Sequence, residues 1–218
     1  LNILSNYATE RIATSKATFK KEELGGTDIV DRILSAFAFA FSDTYRAVTH
    51  NKGIMNGIDA VSIATGQDFR AIEAAAHAYA SRDGKYRSLT TFSKSSNGDL
   101  VGRIEIPLSV GIVGGISTVH PVARMGLKIL GVKSASELAC VIASAGLAQN
   151  LAAIRALSTE GIQKGHMKLH AKNIAVAAGA TGKLVDIVSE RMYKQSKISL
   201  DSARRILQDL HHARDSSS

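Results

Sequence analysis

The chain is poor in several residue types at once: one cysteine in 218 residues, no tryptophan, two prolines and only 5% aromatics. Cys140, being alone, cannot close an internal disulfide, so a reducing, cytoplasmic compartment is expected. With Pro107 and Pro121 the only prolines, helices can run long without interruption. No apolar run nears the roughly 18 residues of a membrane helix; the longest, residues 33–41, includes Ser35. No charged, apolar and small-residue succession opens the chain, so neither a signal peptide nor a membrane partner is expected. What is abundant is ordinary: 45% hydrophobic and 21% charged residues exclude a disordered or fibrous protein. The formal charge of +8 favours polyanions in a general way. The basic residues, however, neither line one helix nor interleave with aromatics, so no nucleic-acid partner is expected. The chain opens on Leu1-Asn2-Ile3-Leu4 rather than Met, which reads as a fragment or processed product.

The pattern of elements is α+β and mostly helical. Ile29, Val30, Ile33, Leu34, Phe37 and Phe41 recur at helical spacing, with Thr27 or Asp28 placed to cap. A strand through Phe-Ala-Phe-Ala-Phe is disfavoured because alanine dilutes β-propensity. Residues 68–81 form a second helix, closed by Asp83-Gly84. Two β-like runs, 86–92 and 100–110, flank Asn97-Gly98, the signature of a β-hairpin. Residues 134–140 and 143–163 read as helices, the second apolar around its circumference and therefore buried. After Gly165 charge rises and aliphatic bulk falls. The expected organisation is a large portion over 1–164 and a small three-helix appendage over 165–218, hinged near Gly161 to Gly165.

Four segments hold chemistry-bearing residues. Residues 45–57 combine Arg, His, Lys and two Asn with two glycines and little periodicity, and read as a polar loop. Asp68 suits an N-cap, or a carboxylate folded back beside Lys52, where it would keep the ammonium charged. His166 and His170, four apart, share a helix face, but Met167 stands where a zinc protease needs Glu, and no third ligand is at hand. No metal is therefore expected. Gly111, Gly114 and Gly115 are too loosely spaced for a dinucleotide fingerprint and suit close backbone packing.

The wording of these segments goes further than their spacing. His50-Asn51-Lys52-Gly53-Ile54-Met55-Asn56-Gly57, Ala64-Thr65-Gly66-Gln67-Asp68, Gly146-Leu147-Ala148-Gln149-Asn150 and Gly161-Ile162-Gln163-Lys164-Gly165-His166-Met167 closely resemble class II 3-hydroxy-3-methylglutaryl-coenzyme A (HMG-CoA) reductase. The resemblance covers essentially the whole chain and matches the C-terminal part of that family. It implies reduction of a thioester by two hydrides from NADH or NADPH, through mevaldyl-CoA and mevaldehyde, to mevalonate and coenzyme A, or the reverse. It places the catalytic lysine at Lys52, the aspartate that tunes it at Asp68 and the histidine that protonates the departing thiolate at His166. Arg46 matches the clamp for the substrate carboxylate, with Asn56 and Asn150 as supporting polar positions. His170 and Lys172 fall on the coenzyme A side; Lys172 stands where many relatives carry arginine, trading a bidentate fork for a point charge. The family's catalytic glutamate and its nicotinamide-binding domain have no counterpart in these residues, so the piece alone is expected to be inactive. A homodimer or higher even assembly, with a mobile C-terminal flap, is implied. The rival reading is a truncated reductase that only dimerises.

Overall fold

The structure is a computed structural model describing residues 1–159 and 161–215, with side chains for all of these except 162–166 and 211–215. It divides into two compact units, Leu1–Thr159 and Glu160–Ser218.

The first unit is helical around one small sheet. Strands β1 (Ile12–Phe19), β2 (Thr90–Lys94) and β3 (Leu100–Pro107) form an antiparallel sheet in the order β1-β3-β2. The expected hairpin is present. Its strands are shorter than the β-like runs, and the 95–99 loop closes through Ser95 N–H to the Asp99 carbonyl at 2.9 Å. Strand β1 carries no strong sequence signal: its inward residues are the small Ala13, Ser15 and Ala17, with Phe19 alone supplying bulk at its end. Strand β3 shows the clear alternation, burying Leu100, Gly102, Ile104 and Ile106.

Seven helices surround this sheet: α1 (Lys21–Leu24), α2 (Thr27–Ser42), α3 (Thr44–Ala64), α4 (Phe69–Ala80), α5 (Gly115–Val119), α6 (Pro121–Leu130) and α7 (Ala135–Ser158). The N-cap of α2 is Gly26 rather than Thr27 or Asp28; Asp28 instead pairs with Arg32 at 2.8 Å along the helix. Residues 134–158 make one helix, not two. Ser134 caps it by accepting from Glu137 N–H at 3.1 Å, and it stops at Ser158, five residues before the expected end. By length and composition α7 is apolar enough to cross a membrane, although Ser, Gly, Gln and Asn punctuate it and break every apolar run. Here it is the core helix: Leu138, Ile142, Leu147 and Ile154 are buried together with Ile54, Ile58, Phe92 and Ile104.

Residues 45–57, expected as a loop, lie within α3. Six of its seven buried positions, Ala47, His50, Asn51, Ile54, Met55 and Ile58, follow the helical i, i+3, i+4 pattern in its first four turns. Polar side chains occupy two of those six, which hid the period. The glycines serve close packing. A Cβ on Gly57 would lie 2.6 Å from the Ala145 carbonyl oxygen, and one on Gly146 would lie 2.8 Å from Ile58. Both approaches fall at one tight crossing of α3 and α7, and Thr90 lies within hydrogen-bond distance of both His50 on α3 and Asn150 on α7.

The second unit contains α8 (Ile162–Ala177), α9 (Lys183–Lys194) and α10 (Leu200–Asp215). Ala171, Ala175, Val188, Met192, Ala203 and Ile206 form its own small core. The breaks near 179–182 and 197–199 fall where expected. Helix α8 begins at Ile162, with Gly161 at φ 80° before it.

Candidate active site

Helix α3 sorts its motif into two faces. Asp43 caps it, Oδ1 accepting from Arg46 N–H at 2.7 Å. Lys52 and Asn56, four residues apart, leave the helix on the same side, and both are exposed. Arg46 is half-buried at the border of that side.

His50 and Asn51 point the other way, into the core. The Asn51 side chain behaves like a short strand: Nδ2 donates to the Arg87 carbonyl at 2.8 Å and Oδ1 accepts from Leu89 N–H at 3.0 Å. That clamp fixes the approach to β2. His50 Nε2 lies 2.9 Å from Thr90 Oγ1, and Thr90 Oγ1 donates to Asn150 Oδ1 at 2.8 Å. All three residues are buried. Burial, and secondarily the Arg46 charge one turn away, lowers the His50 pKa to about 4, so the ring is neutral at ordinary pH. His50 thus supports the fold fully above its unfolded value near 6.5, and that contribution is lost as pH falls toward 4.

Asp68 is the cap of α4, accepting from Ala71 N–H at 3.1 Å, and among the described residues it makes no ion pair with Lys52. Ala64 lies twelve helical positions beyond Lys52, a rise of about 18 Å. The turn that follows closes the helix instead of returning along it: Gln67 N–H donates to the Ser62 carbonyl at 2.8 Å. The Gln67 side chain then holds Gly111 reciprocally, donating to its carbonyl and accepting from its N–H, each at 2.9 Å. Close packing, the expected use of the glycines here, is not what they serve: a Cβ on Gly111, Gly114 or Gly115 would meet nothing within 4 Å, whereas Gly114 and Gly115 take φ of 78° and 56°, the left-handed region that favours glycine.

In the second unit, His170 is exposed on α8. Lys172 pairs with Asp186 at 2.7 Å; both side chains are more than half exposed, so the pair is worth about 0–1 kcal/mol. The side chain of His166 lies outside the described residues. Among the described residues no group of three His, Cys, Asp or Glu gathers to hold a metal. The glycine-rich segment lacks the context of a dinucleotide fingerprint: the sheet is antiparallel, and the glycines lead into a helix of five residues.

One pair of groups had no sequence signal. Asp59 on α3 faces Glu73 on α4, and Asp59 Oδ1 is buried with no hydrogen-bond donor. Burial, then the neighbouring Glu73 carboxyl, pushes Asp59 up to about 7. Two carboxyls so placed share a proton. The native state therefore binds more protons than the unfolded one between about pH 4 and 7, and stability falls as pH rises through that window. Asp59→Asn is expected to raise the urea midpoint at pH 8 more than at pH 5. An equal change at both pH values would mean that no proton is shared.

Residues 1–171 match the protein-family model described as Hydroxymethylglutaryl-coenzyme A reductase. The chain is 57% identical over 210 residues to the 3-hydroxy-3-methylglutaryl-coenzyme A reductase of Archaeoglobus fulgidus, covering 96% of this chain and 48% of that protein. It is 39% identical over 221 residues to the probable 3-hydroxy-3-methylglutaryl-coenzyme A reductase of Borreliella burgdorferi, covering 96% and 51%. Among solved structures, a class II reductase from Streptococcus pneumoniae bound to NADPH in open conformations superposes with a TM-score of 0.70 at 45% identity, covering 95% of this chain and 51% of that one. The chain spans about half the length of the curated relatives it matches.

Proposed function

Because the chain belongs to the hydroxymethylglutaryl-coenzyme A reductase family, we propose that it is the C-terminal part of a class II enzyme that interconverts HMG-CoA and mevalonate with NADH or NADPH. The observation that carries this reading is the sorting of α3, which presents Lys52 and Asn56 outward one turn apart while holding His50 and Asn51 in the core.

The nicotinamide supplies hydride when bound; residues of this chain manage the oxygen and the sulfur. As the thioester carbonyl carbon is reduced, its oxygen takes up the displaced electron pair. Lys52 Nζ–H stabilises and then protonates that oxygen, giving the hemithioacetal mevaldyl-CoA. Collapse breaks the carbon–sulfur bond and returns the oxygen proton. His166 protonates the thiolate, whose pKa of about 8.5 suits an imidazolium donor. Mevaldehyde remains, and Lys52 serves its carbonyl oxygen in the second reduction. Arg46 clamps the free carboxylate, Asn56 and Asn150 hold polar oxygens, and His170 and Lys172 meet coenzyme A.

Exposed Tyr45, Val48 and Ile63 on α3, and Val122, Met125 and Ile129 on α6, support burial against a second copy. A cytoplasmic enzyme suits the free, exposed Cys140. The test is the decay of nicotinamide absorbance with HMG-CoA, comparing the longest chain the source encodes with this 218-residue piece. Turnover by the long chain alone is expected. Turnover by neither would favour a non-catalytic relative that only dimerises.

A further inference from the structure

The buried line His50–Thr90–Asn150 has a direction, and the direction follows from counting protons. A threonine hydroxyl has one proton to donate. Thr90 Oγ1 lies 2.8 Å from Asn150 Oδ1 and donates to it, since a carbonyl oxygen only accepts. With that proton committed, Thr90 Oγ1 can only accept from His50 Nε2 at 2.9 Å, which makes the ring the Nε2–H tautomer. Ser88, the other hydroxyl nearby, does not compete. It spends its proton on the Thr90 carbonyl at 2.7 Å, and its oxygen accepts from Thr90 N–H at 3.2 Å and lies farther from Thr90 Oγ1, at 3.1 Å. The Asn150 carbonyl is therefore turned toward β2, and its Nδ2 hydrogens are left for another partner.

We propose that His50 and Thr90 are positioning residues: the relay from His50 Nε2–H through the Thr90 hydroxyl locks the Asn150 amide so that it offers N–H donors to a substrate oxygen. This rests on the functional reading above, in which Asn150 supports the substrate. The backbone makes the relay rigid. His50 and Asn150 stand on helices that meet in the tight α3–α7 crossing at Gly57 and Gly146, and Thr90 is fixed by its strand pairing with Ile104. A neutral His50 keeps the Nε2–H donor intact well below neutral pH. An imidazolium would leave the Nε2–H in place, so the relay itself adds no step to the pH profile above about pH 5.

Two measurements on the full-length enzyme test it. Long-range proton–nitrogen correlation of histidine-labelled protein should assign the Nε2–H tautomer to His50. Finding Nδ1–H would reverse the relay, make Asn150 the donor to Thr90 and overturn the proposal. In kinetics, Thr90→Val should raise KM for HMG-CoA about tenfold, the worth of one well-made hydrogen bond, with kcat within about twofold. Thr90→Ser should restore KM. Unchanged KM in Thr90→Val, or a parallel loss of kcat and thermal stability that serine does not rescue, would also overturn it. A wild-type protein without reductase activity would sink the functional reading instead, and the tautomer would still decide the direction of the relay.

Discussion

In the full-length enzyme, Lys52→Ala should lower kcat for both HMG-CoA and mevaldehyde reduction by at least about 10²-fold, the usual scale for removing a donor to a developing oxyanion. The side chain is exposed on α3, and alanine is the better helix former, so the fold should hardly notice. Circular dichroism and the thermal midpoint should match wild type, which separates lost chemistry from lost structure. Both substrates should suffer because each reduction places charge on a carbonyl oxygen. Lys52→Arg is the useful companion: the guanidinium keeps the positive charge but gives up a proton far less readily. Mevaldehyde reduction near the wild-type rate in Lys52→Ala would remove Lys52 from the role assigned to it.

His166→Gln should separate the two reductions. Only HMG-CoA reduction expels a thiolate, and losing a general acid there is expected to cost on the order of 10²–10⁴-fold. Mevaldehyde has no sulfur to expel and should be reduced at close to the wild-type rate. Glutamine can still form hydrogen bonds but cannot deliver an acidic proton, so the contrast isolates proton transfer from positioning. Release of coenzyme A, followed with a thiol reagent, is the direct readout. Equal losses on both substrates would argue for a general role in holding the substrate.

Much of the architecture could be read from the residues, and the exceptions share a cause. Helices α2, α4, α9 and α10 announce themselves because one face is apolar and the other is not. Helix α3 defeats that test because His50 and Asn51 occupy core positions, where they are satisfied by partners about forty residues away, Thr90, Arg87 and Leu89. Strand β1 fails it for the opposite reason: apart from Phe19 its inward face is made of small residues, and β3 and α7 supply the bulk. The Asp59–Glu73 pair is a product of tertiary contact alone, since Glu73 lies fourteen positions beyond Asp59 with a turn in between. For the candidate site the balance differs. The motif wording named Lys52, Asn56 and Asn150, while the hydrogen-bond chain behind Asn150 needed three dimensions.

Strand β1 and helix α7 also set a timetable. Ser15 and Ser144 hydroxyls meet at 3.0 Å across 129 residues, and Arg155 Nε reaches the Leu24 carbonyl at 3.2 Å across 131. At a synthesis rate of about 5–20 residues per second, β1 leaves the ribosome roughly 6–25 s before the helix that covers it. For most of that interval β1 also lacks its partner β3, and the completed sheet then waits for its main apolar cover while the residues from Pro107 to Ser158 are made. A stretch of slow codons before Ala135 would lengthen the wait, and one after Ser158 would not. Yield in a heterologous host should therefore depend on translation speed between β3 and α7, and on a chaperone able to shelter a half-built sheet.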